Sequence, residues 1–91
     1  LGASAQERLA AFFQNEQATS FVITGHTDSR ASDAYNMRLS LNRANAVAAI
    51  ARANGGNVSD VRGYGERKPT ATNATAAGRA KNRRVEILCV R

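Results

Sequence analysis

Two β-type runs separated by one long helical pattern constrain this chain more than any other feature. Phe21-Val22-Ile23-Thr24 is short, apolar and β-branched, the composition of an interior strand. Gly25 is expected to end it, and Asp28 to Asp33 form a polar loop rich in turn formers. A helical pattern then occupies Ala34 to Ala53, with Ser32 or Asp33 able to cap its start. It runs on to Asn54 and stops at Gly55-Gly56, as helices commonly do. Val58 to Gly65 alternates weakly through Val58, Val61 and Tyr64 and reads as a second strand, closed by Glu66-Arg67-Lys68-Pro69. A strand-helix-strand unit with a crossover of this length joins a parallel pair in the right-handed sense.

The flanks complete a small domain. Ser4-Ala5-Gln6-Glu7 has capping-box spacing, and Ala5, Leu9, Phe12 and Phe13 follow at helical intervals, so a first helix is expected over Ser4 to Asn15. Its two phenylalanines belong to the core in this reading. Thr70 to Ala74 is a polar loop, and Thr75 to Lys81 a short helix that Gly78 should weaken. Arg84 to Arg91 is the last strand, with Val85, Ile87 and Cys89 on one face. The expected fold is an α/β (α+β) two-layer sandwich: a small mixed sheet with a βαβ crossover and helices packed on one face. At 91 residues the chain is one domain with one core and modest stability.

One residue breaks the pattern. At about 100° per residue, Leu39, Arg43, Val47 and Ile50 share a face of the second helix, while Arg38, Asn42, Asn45 and Arg52 lie opposite. Arg43 thus falls in the stripe that should bury apolar surface. Either it meets an anion there or it snorkels from the edge of the stripe into water.

The net charge is +6, from thirteen Lys and Arg against seven Asp and Glu, and Lys68 and Lys81 are the only lysines. Such Arg dominance favours bidentate recognition of carboxylate or phosphate, so an acidic polymer is a reasonable partner, nucleic acid or a carboxylate-bearing cell-wall strand. A soluble basic surface with no special target is the plain alternative. Only five aromatics exist, and the core claims the three Phe, which leaves little to stack bases. No recognition helix follows Gly55-Gly56, so nucleic acid is not the expected partner. One His and one Cys (His26 and Cys89) do not make a metal site, and Cys89 reads as a small buried hydrophobe. His26 and Asp28 lack a serine at a Gly-x-Ser-x-Gly elbow, and no set of catalytic roles can be filled, so no enzyme and no cofactor are expected. No apolar run approaches the ~20 residues that span a membrane, and LGASAQERLA lacks the order of a signal peptide.

A binding site is what the residues suggest instead. Asp28 follows a strand at the edge where ligands gather in α/β sheets. Asn36 lies two helical turns before Arg43 and shares its face. A carboxylate for an ammonium and a guanidinium for a carboxylate suit a zwitterion. The alternative is that Asp28 and Arg43 merely pair with each other inside the fold.

The run Gly25-His26-Thr27-Asp28, then Tyr35-Asn36, Leu39-Ser40, Arg43-Ala44 and Val47, resembles the core motif of OmpA-like peptidoglycan-binding domains. Gly63-Tyr64-Gly65-Glu66 with Pro69 resembles that family's second block, and Gly78-Arg79-Ala80 with Asn82-Arg83-Arg84-Val85-Glu86 its third. The resemblance implies non-covalent binding of peptidoglycan through the diaminopimelate of its stem peptide. It implies that Asp28 takes the ammonium and Arg43 the carboxylate, with Thr27, Asn36, Arg83 and Arg84 lining the same pocket. It further implies a periplasmic, non-enzymatic domain that anchors an envelope protein to the cell wall, reaching the outer membrane only through parts outside this chain. A flagellar stator protein with the same ligand is the near alternative, and a basic nucleic-acid-binding module the distant one. Two departures stand out. The family usually has a strand before the first helix, and residues 1–91 begin almost at that helix. Either the strand lies in sequence outside this chain, or one edge of the sheet is open and prone to pairing, as in a dimer. Ser29-Arg30-Ala31-Ser32 replaces a small glycine-bearing loop, where Arg30 narrows the pocket or adds an anion contact.

Overall fold

The expected crossover forms. In a computed structural model, described here for residues 2–16 and 18–91, the elements are α1 (Ala3–Asn15), β1 (Ser20–His26), α2 (Asp33–Ala53), β2 (Val58–Gly63), α3 (Ala76–Asn82) and β3 (Arg84–Val90). The sheet has the order β2-β1-β3, with β1 parallel to β2 and antiparallel to β3. The β-branched run therefore occupies the central strand, where both of its edges are paired. Helix α2 packs along the strands and α1 packs on α2, which gives the mixed two-layer architecture.

Residue size fixes which face of α2 is buried. The buried stripe is Asn36, Ser40, Ala44, Val47, Ala48 and Ala51, mostly small residues that let the helix lie close on the sheet. Leu39 and Ile50 are only half-buried at its flanks, and Arg43 is exposed. The expectation that Arg43 sits within the burying stripe is thus corrected: large apolar residues mark the shoulder of this helix and small ones its contact line. Phe13, Phe21 and Ile23 fill the space between the layers, and the Phe13 and Phe21 rings meet edge to face at 5.0 Å. Phe12 is not a full core residue. It remains 37% exposed, with its ring against Phe13 at the core margin.

Element ends follow local chemistry with two exceptions. Ser32 caps α2 by accepting from the Tyr35 N–H at 3.1 Å, and Thr75 caps α3 by accepting from the Gly78 N–H at 3.0 Å. Gly55, at φ 82°, closes α2 as expected. The capping box at Ser4 does not form: α1 starts one residue earlier with Gly2 as its N-cap, so Ser4 lies in the first turn and its hydroxyl accepts from Arg8 at 3.1 Å. Nor does Gly25 end β1, which continues to His26. Gly25 pairs with Gly63 and Val85, and a Cβ there would overlap the carbonyl oxygen of Ser40. Its role is to admit α2 to the sheet rather than to stop the strand.

Candidate binding site

The end of β1 divides the Gly25-His26-Thr27-Asp28 motif, since His26 is the last strand residue and Thr27 and Asp28 belong to the loop that follows. His26 shares the helix-free face of the sheet with Val22 and Thr24. Its Nε2 lies 3.0 Å from the Thr24 hydroxyl and 3.6 Å from the Glu86 carboxylate, and its ring stacks on Tyr64 at 5.6 Å. Burial, and then Arg84 and Lys68, push the imidazole pKa down against the opposing pull of Glu86. Asp28 sits two residues on, past the strand end and on the other side.

The loop that carries Asp28 is pinned at its backbone. Thr27 donates its N–H to the Gly65 carbonyl at 2.9 Å and its hydroxyl to the Asp28 carbonyl at 2.8 Å. From α2, the buried Asn36 amide donates to the Asp28 carbonyl at 3.3 Å and to the Arg30 carbonyl at 2.7 Å. Ala31 then turns the chain into α2 at φ 70°, a left-handed conformation unusual for a residue with a Cβ. Thr27 and Asn36 thus shape the loop with the donors that sequence reading assigned to a ligand.

Asp28 is only 5% exposed and meets two cations. Arg30 donates from its backbone N–H to Oδ1 at 3.0 Å, and from Nε and Nη2 to Oδ2 at 3.3 and 3.0 Å. Arg83 donates from Nη1 to the same Oδ2 at 2.9 Å. The Arg30 side chain has the largest influence; together with Arg83 it holds the Asp28 carboxyl well below the usual carboxylate range, against the opposing effect of burial.

Arg83 is itself placed by the residue before it. Asn82 is fully buried and uses its whole amide: Oδ1 accepts from the Thr70 and Ala71 N–H groups at 2.9 Å each, and Nδ2 donates to the Ala71 carbonyl and to Asn73 Oδ1 at 2.9 and 2.8 Å. This clamps the end of α3 to the loop over 70–73. Gly78 belongs to the same contact, since a Cβ on it would overlap the Thr72 carbonyl. The glycine that should weaken α3 is the residue that lets α3 dock.

A cavity of about 410 Å³ is lined by Thr27, Asp28, Arg30, Ala31, Tyr35, Asn36, Leu39, Arg43 and Arg83. Five of the six residues singled out from the sequence therefore converge. Arg84 does not join them: its guanidinium donates to Glu86 and to the carbonyls of Asn82 and Lys68, at 3.2 and 3.1 Å for the carbonyls. It lines two neighbouring hollows instead, one of which it shares with Arg43 and Arg83. Nor do Asp28 and Arg43 neutralise each other, since among the described residues no hydrogen bond or ion pair uses the Arg43 guanidinium. Three guanidiniums thus surround one carboxylate, with the half-exposed Tyr35 ring and Leu39 as apolar walls. Sequence reading left Tyr35 and Leu39 out of the site, although Leu39 lies one helical turn before Arg43.

The geometry has counterparts. Residues 2–83 match the OmpA family. Over 84 residues the chain is 51% identical to outer membrane porin F of Pseudomonas aeruginosa, a match that covers 88% of this chain and 24% of the porin. The chain therefore spans about a quarter of that relative's length. The crystal structure of the peptidoglycan-associated lipoprotein from Burkholderia pseudomallei aligns with a TM-score of 0.82 at 28% identity, covering 97% of this chain and 79% of that one. The cell wall anchor of the T6SS from Pseudomonas aeruginosa aligns at 0.75 with 35% identity, covering 92% of this chain and 62% of that one. With a family match over nearly all its residues and the fold of these solved structures, the chain belongs to the OmpA family.

Proposed function

We propose that this domain binds peptidoglycan non-covalently and anchors an envelope protein to the cell wall in the periplasm, doing so through the diaminopimelate of the stem peptide. The observation that carries the reading is one cavity holding a buried carboxylate, Asp28, and a guanidinium, Arg43, that meets no hydrogen-bond or ion-pair partner among the described residues. Asp28 takes the ligand's ammonium and Arg43 its carboxylate, in the bidentate geometry that guanidinium favours. Tyr35 and Leu39 line the same cavity and suit the methylene chain between the ligand's two ends. Thr27 and Asn36 hold the loop in register, and Arg83 shares the Asp28 carboxylate. The names of a peptidoglycan-associated lipoprotein and a cell wall anchor among the similar structures support the reading. Attachment to the outer membrane belongs to segments outside this chain.

Cosedimentation with insoluble peptidoglycan tests it. The domain should pellet with the polymer, and free diaminopimelate should release it. Asp28→Asn and Arg43→Ala, each verified as folded by circular dichroism, should stay in the supernatant; pelleting by both variants at the native level would refute the assignment of the site.

A further inference from the structure

Arg30 stands apart from the other cations of the cavity. Its backbone is fixed at both ends, the N–H on Asp28 Oδ1 and the carbonyl on the Asn36 amide. Its side chain is 65% exposed, and Asp28 is its only ion-pair partner among the described residues. Arg83, at 38%, is better shielded and follows the Asn82 clamp directly. An ammonium seeking Asp28 finds Oδ2 already holding both guanidiniums. To reach that oxygen it competes with both, and the exposed guanidinium on the fixed backbone can swing aside without moving the loop.

We propose that Arg30 is a displaceable latch that determines specificity at the Asp28 site, an inference that rests on the ligand reading above. With no ligand bound, its guanidinium occupies the place an ammonium would take. A simple amine exchanges one cation for another at Asp28 and leaves Arg30 without a partner. A ligand with a carboxylate on the same carbon as its ammonium brings an anion that the released guanidinium can share with Arg43. The latch therefore opens at little cost for a zwitterionic centre and resists a plain amine. This gives the arginine in the departing loop a role: it narrows the site when empty and adds an anion contact when filled.

The test titrates the native domain and Arg30→Ala with two probes, meso-diaminopimelate and cadaverine (the same chain without carboxylates), followed by backbone and arginine Nε–H NMR signals. Native protein should prefer diaminopimelate, and its Arg30 Nε–H signal should move on binding. In Arg30→Ala, cadaverine should bind about fivefold more tightly, the scale of one part-exposed ion pair. Diaminopimelate should gain less, so the preference narrows. Equal preference in both proteins, or an Arg30 signal that stays still while the Asp28 amide shifts, overturns the latch and leaves the site intact. Failure of the native domain to bind diaminopimelate overturns the site reading and the latch with it, whereas binding by the native domain and not by Arg30→Ala overturns the latch alone.

Discussion

Arg83 donates to the Asp28 carboxylate across 55 positions of sequence, Nη1 to Oδ2 at 2.9 Å. That bond links the loop after β1 to the junction of α3 and β3. It converts two separate sequence blocks into a single site. The middle block enters through Gly65, whose carbonyl accepts from Thr27 and whose N–H donates to the Ser40 hydroxyl at 2.9 Å each. The cavity is therefore held by contacts that only the folded chain makes, and its charges are responsive to pH.

Asp28 should dominate the acid limb of stability. Its folded pKa lies below the ordinary 3.8, so the unfolded chain takes up a proton first as pH falls. The contribution of the Arg30–Asp28–Arg83 cluster is fully present above roughly pH 4 and erodes below it. Urea midpoints measured from pH 5 down to about pH 2 should fall more steeply for the native domain than for Asp28→Asn. Parallel curves would mean that Asp28 does not carry the effect.

The strand-helix-strand crossover was legible because its signals are local: a β-branched run, a long helical period and a glycine stop. The expected face of α2 is right at Val47 but turned toward Leu39 and Ile50, which outweigh alanines in hydropathy, whereas helix-on-sheet packing here depends on close approach at Ser40, Ala44 and Ala48. Asp28 and Arg43 were identified as site residues from an argument about a buried arginine, yet Arg43 is exposed. Asn82 and the Arg30–Asp28 pair were missed for a different reason. A hydrogen-bond clamp has no periodicity, and nothing local distinguishes an asparagine that closes a distant loop from one that faces water.

His26 should set a second pH dependence nearer neutrality. Desolvation, Arg84 and Lys68 lower its pKa and Glu86 raises it, with the net value below the ordinary 6.5. The unfolded state therefore binds the proton more readily, and stability should decline as pH drops through about 6.5. Denaturant midpoints between about pH 7.5 and 5.5 should slope in the native domain and flatten in His26→Gln. A slope retained in the variant would assign it to another group.

Asn82→Ala should be among the most damaging polar substitutions. It removes the acceptor of two backbone N–H groups, at Thr70 and Ala71, and both donations from the amide. With the side chain fully buried, the expected loss is about 2–4 kcal/mol. Ligand binding should weaken as well, because Arg83 loses its support. An exposed asparagine on α2, Asn45, provides the comparison, and Asn45→Ala should change stability by less than ~0.5 kcal/mol. Similar losses for the two would show that the clamp contributes nothing.

Opposite outcomes are expected when glycine and alanine are exchanged on the two sides of Asp28, at Gly25 in β1 and at Ala31 in the loop. Gly25→Ala places a Cβ on the Ser40 carbonyl, backbone against backbone, which no side-chain rotation can relieve. The helix must lift from the sheet, at a cost of about 3 kcal/mol or more, and the cavity between Asp28 and Arg43 should open with it. Ala31 presents the reverse case. Its φ of 70° costs an L-residue roughly 1–2 kcal/mol. Glycine removes that strain but adds up to ~1 kcal/mol of unfolded-chain entropy. Ala31→Gly should therefore be neutral or stabilising by as much as about 1 kcal/mol, read as a higher urea midpoint. A marked loss of stability in Ala31→Gly would show that the loop does not adopt this turn in solution.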